Sequence, residues 1–389
     1  MKTLFLTWTP GFAGGEKHLV GLIQRLDLSK VQPAIFCFGM DPYSRILNDQ
    51  LRLGIDIKTG LSGNSFFRTW LEFRKKKPDA VVFATGWVGT FPWYVFLAAR
   101  LSGAKRLYAI YHNFSEIPER VPNNGHWVLY LARRAFGWRV RLMLGLKIVV
   151  ALTHRSICVS EKLRESLVGD FGYPREKTVT VHNGVDLRFY GAPDARAAGV
   201  RRELGIGPDE VVLVSACRLV PAKGVDVLLR AVNSLRDEVP KLKCVIVGEG
   251  PCGEELRKAS AEMGLSSKVF FVGFKGDVRP YLQAGDIFVN PSSASYVECL
   301  PLAVLEAMAS SLPCIGSSAG GVPEIISHQE DGLLVTPGSV GELRAAIKRL
   351  ACDGTERKRM GERAREKVRL EFDLERSVEE LKAILLQSG

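Results

Sequence analysis

Two basic residues flank a short turn in the second half of the chain. Arg218 and Lys223 follow the apolar run Val211 to Ala216 and precede a new helical segment. Two cations beside a helix N-terminus are unfavourable with its dipole unless an anion lies there. The pattern therefore predicts a diphosphate site, and the alternative is a pair of solvated side chains.

Two glutamates further along the chain could bind hydroxyl groups. Glu298 and Glu306 are separated by seven residues, with Pro301 between them. A helix that begins near Pro301 places Glu306 one turn inside it and Glu298 in the preceding loop, so both carboxylates can face one ligand. Glu306 interrupts an apolar run, and a buried glutamate is rare unless it is paired. The diol of a ribose or hexose is a suitable ligand, and the alternative is a surface glutamate on an amphipathic helix.

A glycine-rich turn near the N-terminus is a weaker signal. Gly11, Gly14 and Gly15 follow the first apolar run and open a helix, where free backbone N–H groups can meet a phosphate. The spacing matches neither GxGxxG nor a P-loop, and no acidic residue stands at the distance expected for the ribose of NAD. A tight turn that needs the φ angles of glycine explains the pattern equally well.

Short apolar runs precede these turns and recur along the whole chain. Helical patterns separate them and none alternates with a period of two, which is typical of parallel sheets covered on both faces. The runs restart near Glu210, so we expect two doubly wound α/β domains that face each other across a cleft, with ligands beyond the carboxyl ends of the strands. The predicted strands are Leu4 to Trp8, Ala34 to Phe38, Ala80 to Thr85, Arg106 to Tyr111, Ser156 to Ser160 and Val179 to Val181, then Val211 to Ala216, Leu242 to Gly248, Val269 to Gly273, Ile287 to Asn290, Pro313 to Ser317 and Leu333 to Val335.

Length and composition fit this organisation. The chain has 389 residues, 46% of them hydrophobic and 24% charged, so it is too long for one ordinary core and too apolar to be disordered. Glycine and proline follow no period, which excludes collagen-like and low-complexity chains. No CxxC occurs, and five of the eight cysteines lie in apolar runs, so we expect buried thiols in a reducing compartment: Cys37, Cys158, Cys217, Cys244 and Cys314.

Positive charge is concentrated in the first half of the chain. The net charge is +11; residues 1–190 carry 27 Lys and Arg against 14 Asp and Glu, which is +13, and the rest carries −2. This imbalance indicates an anionic partner, which could be lipid headgroups, a phosphorylated acceptor or nucleic acid. The basic half lacks a helix-turn-helix, RNA-binding or zinc signature, so no nucleic acid is expected. An anionic membrane surface near a lipid-phosphate-linked acceptor explains the charge more economically.

Two segments of the basic half combine aromatic and basic residues. In Phe66 to Lys77 the aromatic residues share one helical face opposite the basic ones, although a helix packed on the sheet with a solvated outer face explains this too. The charges of Trp127 to Thr153 fall on no single face, and its uncharged runs are far shorter than the roughly 18 residues of a spanning helix. The N-terminal residues lack signal-peptide features. We expect a cytoplasmic protein that is peripheral on the inner face of the membrane.

In combination, several motifs resemble those of glycosyltransferase family four. The sequence is similar to retaining glycosyltransferases of this family, which have the GT-B fold, over essentially its whole length. The motifs of the second half are specific in combination, whereas those of the first half are individually loose. They are Arg218 with Lys223 and Gly224, Val247 to Pro251, Val272 to Phe274, Glu298 with Glu306 to Ala309, and Gly320 to Ile325, preceded by Gly14 to Glu16, His112, Val159 to Glu161 and Asn183 to Asp186.

The resemblance implies a nucleotide-sugar donor held mainly by the second domain. Arg218 and Lys223 would bind its diphosphate, Glu306 its ribose hydroxyls and Glu298 its sugar hydroxyls. His112 would lie near the donor sugar, and it completes the expected catalytic set with Glu298, Arg218 and Lys223. The further donor-binding residues are Gly14 and Gly15 at the phosphate, Gly273, Phe274 and Lys275 near the base, Gly248, and the backbone at Leu300, Pro301 and Leu302.

Two positions depart from the family pattern. Many members have Gly-Phe-Gly after the first glutamate, where this chain has Cys299, Leu300 and Pro301. Pro301 has no N–H group, so it cannot supply the backbone contact that a glycine there would offer. Ser311 replaces a glycine that is common after the Ala-Met-Ala helix, a change with no evident catalytic meaning.

The expected chemistry needs no metal and no cofactor. Cleaving a sugar from a diphosphate builds negative charge on the leaving group, and fixed cations and N–H dipoles stabilise it. The sequence has no Asp-x-Asp element and no His/Cys cluster with ligand spacing. No residue stands out as a nucleophile, consistent with the front-face attack by the acceptor that the resemblance suggests.

The expected domains are an acceptor-binding domain at 1–187, a donor-binding domain at 188–371 and a C-terminal helix at 372–389 that crosses back to the first domain. The stretch Arg188 to Gly205 is small, polar and irregular, as in a linker or peripheral segment. The implied activity is transfer of a hexose-type sugar to an acceptor, with a lipid-linked glycan intermediate as the expected acceptor, in cell-surface polysaccharide or glycolipid assembly. The alternatives are a GT-B epimerase or hydrolase of nucleotide sugars and a non-catalytic nucleotide-sugar-binding module.

Overall fold

A computed structural model describes residues 1–7, 14–37, 56–58, 66–85, 93–112, 144–293 and 298–387. The chain divides into two compact units, of which the first comprises Met1–His182 with Val378–Gly389 and the second comprises Asn183–Ser377. Each unit is built on one sheet of parallel strands with helical connections. The prediction of two doubly wound α/β domains is therefore confirmed.

The first unit contains a seven-stranded sheet in the order β3-β2-β1-β4-β5-β6-β7, and all neighbouring strands are parallel. Six of these strands, all except β3, correspond to the predicted runs. β3 was not predicted because its three residues, Asp-Ile-Lys, contain no apolar run. The strands are β1 Lys2–Thr7, β2 Gln32–Cys37, β3 Asp56–Lys58, β4 Ala80–Thr85, β5 Arg106–Tyr111, β6 Arg155–Cys158 and β7 Thr178–Thr180.

Helices connect these strands, and the last helix of the chain joins the same unit. The guanidinium of Arg106 donates to the carbonyl of Leu385 at 3.0 Å, and the hydroxyl of Tyr108 lies 3.4 Å from the carbonyl of Ile384. These bonds attach the end of the last helix to β5. The helices with residues in this unit are Gly14–Arg25, Phe66–Lys76, Trp93–Leu101, 144–152, Glu161–Gly169 and, from Val378 onward, Leu374–Leu386, with a 3-10 turn at Arg175–Lys177.

The second unit contains a six-stranded parallel sheet in the order β10-β9-β8-β11-β12-β13. All six strands coincide with the predicted runs to within a residue. The strands are β8 Val211–Ala216, β9 Leu242–Val247, β10 Val269–Gly273, β11 Ile287–Asn290, β12 Cys314–Ser317 and β13 Gly332–Val335. The helices are Leu187–Tyr190, Arg196–Glu203, Val225–Ser234, Gly253–Glu262, Arg279–Ala284, Leu302–Ala309, Val322–Ile325, Val340–Cys352 and Gly354–Glu371, with a 3-10 turn at Pro221–Lys223.

The stretch 188–205 is not irregular, and that expectation was wrong. It contains most of the helix Leu187–Tyr190, which Asp186 caps, and the whole helix Arg196–Glu203. The Asp186 carboxylate accepts hydrogen bonds from the N–H groups of Arg188 and Phe189 at 3.0 and 3.1 Å. Such a cap satisfies donors that the first helical turn leaves without intrahelical partners. Arg201 attaches the segment to the second unit, because its guanidinium donates to the carbonyl of Ala284 at 2.8 Å and to the carboxylate of Asp286 at 2.7 Å.

Burial explains why the strands read as continuous apolar runs. Every residue of β11 and β12 is buried, as expected for parallel strands covered on both faces. Three of the five thiols predicted to be buried are buried, those of Cys158, Cys244 and Cys314, and burial raises the pKa of Cys244 to about 12. Cys217 is only half-buried, and the side chain of Cys37 lies outside the described residues.

The strand orders place one crevice in each sheet. β8 and β11 are neighbours in the second sheet, but the chain leaves them in opposite directions, toward β9 and toward β12. The first sheet has the same arrangement at β1 and β4. In open parallel sheets, ligands bind at such a topological switch point, beyond the carboxyl ends of the strands. A ligand site in the second unit is therefore expected at the loops after β8 and β11.

Candidate functional site

The turn after β8 is fixed against the loop after β11. The N–H of Ser293 donates to the carbonyl of Ala222 at 2.9 Å. Gly224 has a φ of +62°, and a Cβ atom there would lie 2.0 Å from the carbonyl oxygen of Pro291. A residue with a side chain would therefore push the two loops apart. Lys223 stands directly before this glycine, at the start of the helix Val225–Ser234.

Lys223 and Glu298 meet across these two loops as an ion pair. The Glu298 side chain is only 5% exposed, and it has two further partners. The amide nitrogen of Asn290 donates to its Oε2 at 3.2 Å, and the hydroxyl of Ser292 lies 3.0 Å from its Oε1. A buried carboxylate is stable only when it is paired in this way. The structure thus brings together two predicted site residues at the switch point of the second sheet.

The protonation state of Lys223 depends on this pair. Burial lowers the pKa of the Lys223 ammonium to about 8, whereas the Glu298 carboxylate in contact with it favours the charged form. With a pKa of about 8, the ammonium form of Lys223 predominates at neutral pH. An anionic ligand that binds here would contact a cation that is already fixed in position.

We expect Glu298→Gln to move the pH dependence of diphosphate binding to lower pH. The amide cannot favour the ammonium as a carboxylate does, so the pKa of Lys223 falls and its charge is lost earlier as pH rises. The measurement is the affinity for UDP and GDP between pH 6.5 and 9.5. Lys223→Arg is the control. Arginine stays charged, so the affinity of this variant for UDP and GDP should not fall over this pH range. Identical pH profiles for wild type and Glu298→Gln would contradict this coupling.

Arg218 lies in the same turn and is exposed to solvent. Within the residues that the structure describes, its guanidinium has no hydrogen bond or ion pair. The N–H of the next residue, Leu219, donates to the carbonyl of Glu249 at 2.9 Å, which fixes the backbone of the turn. Arg218 can therefore reach a ligand without breaking an existing contact.

The ends of β9 and β10 adjoin this turn through two glycines. The N–H of Gly248 donates to the carbonyl of Gly273 at 2.9 Å. Gly248 has a φ of +140°, and a Cβ atom there would lie 1.9 Å from the carbonyl oxygen of Cys217. Beyond Gly273, the Phe274 ring is 65% exposed, and the ammonium of Lys275 lies 5.6 Å from the centre of the Tyr281 ring. These residues present an exposed aromatic ring where a base is predicted.

A helix begins immediately after Pro301, as predicted, and extends over Leu302–Ala309. Glu306 lies one turn inside it and is buried, with 6% of its surface exposed. Its carboxylate is hydrogen-bonded to the hydroxyl of Tyr190, and burial, together with the charge of Glu306, raises the pKa of that phenol. Before the helix, the carbonyl of Leu300 accepts a hydrogen bond from the amide of Asn183 at 2.9 Å. The sequence analysis did not single out Tyr190, which is distant from Glu306 along the chain.

In the first unit, His112 directly follows β5, and its ring lies against that of His18 with centroids 6.1 Å apart and planes at 80°. Both ring nitrogens of His112 are buried without a hydrogen-bond partner in the described part of the chain. Burial lowers the pKa of His112 to about 4, and burial with the neighbouring His112 lowers that of His18 to about 3. Both imidazoles are therefore neutral at pH 7, and His112 can exchange a hydrogen bond with a ligand.

Other predicted features of the first unit are only partly described. Gly14 and Gly15 begin the helix Gly14–Arg25, but the turn before them lies outside the described residues.

Among the described residues, no cluster of three or more His, Cys, Asp and Glu side chains could hold a metal ion. No helix in that same part of the chain is long and apolar enough to span a bilayer.

Two family profiles match successive parts of the sequence. The profile described as Glycosyltransferase Family 4 matches residues 12–189, and the profile described as Glycosyl transferases group 1 matches residues 199–367. Together they include all the predicted site residues.

Several curated proteins are similar in sequence. The GDP-mannose-dependent alpha-(1-6)-phosphatidylinositol monomannoside mannosyltransferase of Mycobacterium tuberculosis is 33% identical over 291 residues, which are 72% of this chain and 70% of that protein. The D-inositol 3-phosphate glycosyltransferase of Streptomyces bingchenggensis is 32% identical over 230 residues, or 56% of this chain. In that second comparison the matched region spans only 50% of the relative's length.

Solved structures share the fold at low sequence identity. HepE of Anabaena, crystallised with UDP and glucose, has a TM-score of 0.81 and 21% identity, and 99% of each chain is covered. Sucrose-phosphate synthase of Thermosynechococcus elongatus has a TM-score of 0.73 and 20% identity, with 99% of this chain and 98% of that chain covered. These likenesses show that the fold is GT-B.

Proposed function

Because the chain belongs to glycosyltransferase family 4, we propose that it is a retaining glycosyltransferase that moves a hexose-type sugar from a nucleotide-diphosphate sugar to an acceptor. The observation that carries this proposal is the ion pair between Lys223 and the buried Glu298 carboxylate at the switch point of the second sheet, with Arg218 in the same turn as Lys223. The names of the curated relatives and the UDP bound to HepE support a nucleotide-sugar donor.

In this proposal each residue around the switch point has a separate task. Lys223 and Arg218 stabilise the charge that develops on the leaving diphosphate. Glu298 accepts hydrogen bonds from sugar hydroxyls, and Glu306 accepts them from the ribose. His112, a neutral imidazole with buried ring nitrogens, contacts the donor sugar from the first unit.

The remaining predicted contacts are made mainly by the backbone. Leu300 and Leu302 flank Pro301, which has no N–H to donate, so the sugar and phosphate would receive N–H groups from its neighbours. The first-unit glycines would approach the phosphate, and the base would lie against the exposed ring of Phe274. These backbone and base contacts are Gly14, Gly15, Gly248, Gly273, Phe274, Lys275, Leu300 and Leu302.

Release of nucleoside diphosphate from a panel of UDP- and GDP-sugars tests this function. A transferase should release little product alone and much more when acceptor lipids are added, and it should keep the anomeric configuration of the donor in the product. Release at the same rate without acceptor would instead indicate a hydrolase, and isomerised donor an epimerase. Binding without any turnover would leave a non-catalytic module.

Transfer should continue in excess EDTA. The proposed site contains two cationic side chains and a helix N-terminus, so the leaving diphosphate is stabilised without a divalent ion. The measurement is the initial rate of donor turnover with EDTA, with added Mg²⁺ and with added Mn²⁺, and all three rates should agree within about twofold. Activity that EDTA abolishes and Mn²⁺ or Mg²⁺ restores would refute the metal-independent mechanism.

For the acceptor we propose a lipid-linked glycan intermediate at the cytoplasmic, anionic membrane surface. The supporting observation is the helix Phe66–Lys76 of the basic first half, on which Phe67 is 68% and Leu71 46% exposed. Arg74 lies 5.1 Å from the centre of the Trp70 ring, and Lys75 is exposed. Apolar side chains beside basic ones are typical of interfacial helices. The mycobacterial relative is named for a phosphatidylinositol-linked acceptor.

The full chain should therefore bind anionic vesicles, and its binding should weaken steeply as salt rises. Each basic residue near such a surface contributes about 1 kcal/mol, within a Debye length of about 8 Å at physiological salt. Arg74→Glu with Lys75→Glu should reduce co-sedimentation by roughly tenfold or more. The matched control is Lys241→Glu with Lys258→Glu in the second unit, where both lysines are exposed.

Neutral vesicles should compete poorly in the same assay. Equal binding to anionic and neutral vesicles, no binding to either, or equal loss in the two double variants would contradict the membrane proposal. A soluble anionic acceptor would then explain the basic first half. The other segment that combines aromatic and basic residues, Trp127 to Thr153, lies largely outside the described residues.

A further inference from the structure

Tyr190 lies close to Glu306 in the second unit, and hydrogen bonds fix its backbone there. Both residues are buried, with 4% and 6% of their surfaces exposed. The hydroxyl of Ser310 lies 2.9 Å from the carbonyl of Glu306 and 3.3 Å from that of Tyr190, so it ties the two backbones together. Gln283 adds a hydrogen bond to the carbonyl of Tyr190 at 3.3 Å.

The short helix that carries Tyr190 is also fixed to the rest of the second unit. Asp186 caps its start. The guanidinium of Arg279 lies 3.4 Å from the centre of the Phe189 ring, the residue before Tyr190. The phenol therefore reaches Glu306 from a rigid support and not from a mobile loop.

From this arrangement we infer that Tyr190 is a positioning residue, which orients the Glu306 carboxylate for the ribose hydroxyls of a nucleoside diphosphate; this inference rests on the proposed function. The hydroxyl of Tyr190 is hydrogen-bonded to that carboxylate. A phenol donates a single hydrogen bond, whereas a carboxylate offers about four acceptor positions. Tyr190 can therefore hold the carboxylate in one orientation without using the capacity that a diol would need.

The expected consequence is specific to the ribose. When a buried carboxylate loses a fixed donor, it can rotate or draw in water, and its remaining acceptor positions no longer point in one direction. Contacts with the diphosphate and the base do not depend on this orientation. A ligand without the two ribose hydroxyls should therefore be insensitive to the Tyr190 hydroxyl.

The test compares UDP and GDP with their 2′,3′-dideoxy counterparts, titrated into the full chain. In wild type the ribonucleotide should bind at least about tenfold more tightly than its dideoxy form. Tyr190→Phe should weaken the ribonucleotide by about five- to tenfold and leave the dideoxy form within about twofold. Tyr173→Phe is the matched control, because it also removes a buried tyrosine hydroxyl, 3.0 Å from that of Tyr111 in the first unit. It should change neither affinity.

A double-mutant cycle with Glu306→Ala adds a second readout. If Tyr190 acts through Glu306, then Tyr190→Phe should have no further effect on ribonucleotide affinity once Glu306 is alanine. Equal weakening of ribo- and dideoxy-nucleotides, additive effects in the cycle, or failure of Tyr190→Phe to fold would each overturn the inference and assign the hydroxyl to stability.

The same titrations separate this inference from the proposed function. If wild type binds neither UDP nor GDP, the proposed function fails. If wild type binds one of them and Glu306→Ala weakens it, but Tyr190→Phe does not, only the role of Tyr190 fails.

Discussion

Replacing Arg218 or Lys223 with alanine is expected to slow donor turnover by about 30- to 1000-fold, which corresponds to roughly 2–4 kcal/mol of transition-state stabilisation. Each side chain is positioned to contact the diphosphate on which charge develops. The measurement is the catalytic efficiency for whichever UDP- or GDP-sugar proves to be the donor. Lys258→Ala, an exposed lysine of the same unit, is the control and should keep wild-type efficiency.

The two variants should differ in stability. Arg218 is exposed and has no partner among the described residues, so Arg218→Ala should leave the free energy of unfolding nearly unchanged. Lys223→Ala leaves the buried Glu298 carboxylate without its ammonium, which should cost roughly 1–3 kcal/mol. If either variant folds and retains wild-type turnover, the diphosphate site has been placed wrongly.

The second large effect is expected when either glutamate is replaced by alanine, and the two substitutions should impair different steps. Glu298→Ala should lower turnover by roughly 100-fold or more, since it removes both the sugar contact and the partner of Lys223. Glu306→Ala should weaken donor and nucleoside diphosphate together by roughly tenfold, since both contain the ribose.

The nucleoside diphosphate product distinguishes these roles, because it carries the ribose but not the sugar. It should bind Glu306→Ala clearly less tightly than wild type. The Glu298→Ala variant should bind the nucleoside diphosphate more tightly than the Glu306→Ala variant does. Both affinities are measured at pH 6.5, so that Lys223 stays charged. Equal weakening in the two variants would contradict the division of roles.

The sequence predicted the second unit well because its signals are local. Each strand there coincides with a short run that is mostly apolar, and Pro301 marks the start of the helix that carries Glu306. In the first unit, β3 has only three residues and no apolar run, so it escaped the same reasoning. The helix Leu187–Tyr190 was missed too, because it has only four residues and its capping residue, Asp186, precedes the stretch that was expected to be irregular.

Contacts between distant parts of the chain were beyond sequence reasoning. Lys223 and Glu298 were assigned separately to the phosphate and the sugar, but nothing in their spacing indicates that they form an ion pair. That pair requires β8 and β11 to be neighbours, which only the strand order of the folded sheet establishes. Tyr190 and His18 are missing from the prediction for the same reason, since each matters through a residue far along the chain.

The most direct test of the proposed donor site is a crystal structure of the full chain with whichever of UDP and GDP binds more tightly. We expect the diphosphate within hydrogen-bonding distance of Lys223 and Arg218, and the ribose hydroxyls on the carboxylate of Glu306. A nucleotide bound elsewhere, or bound here with its ribose turned away from Glu306 and its phosphates away from Lys223, would contradict the proposed site.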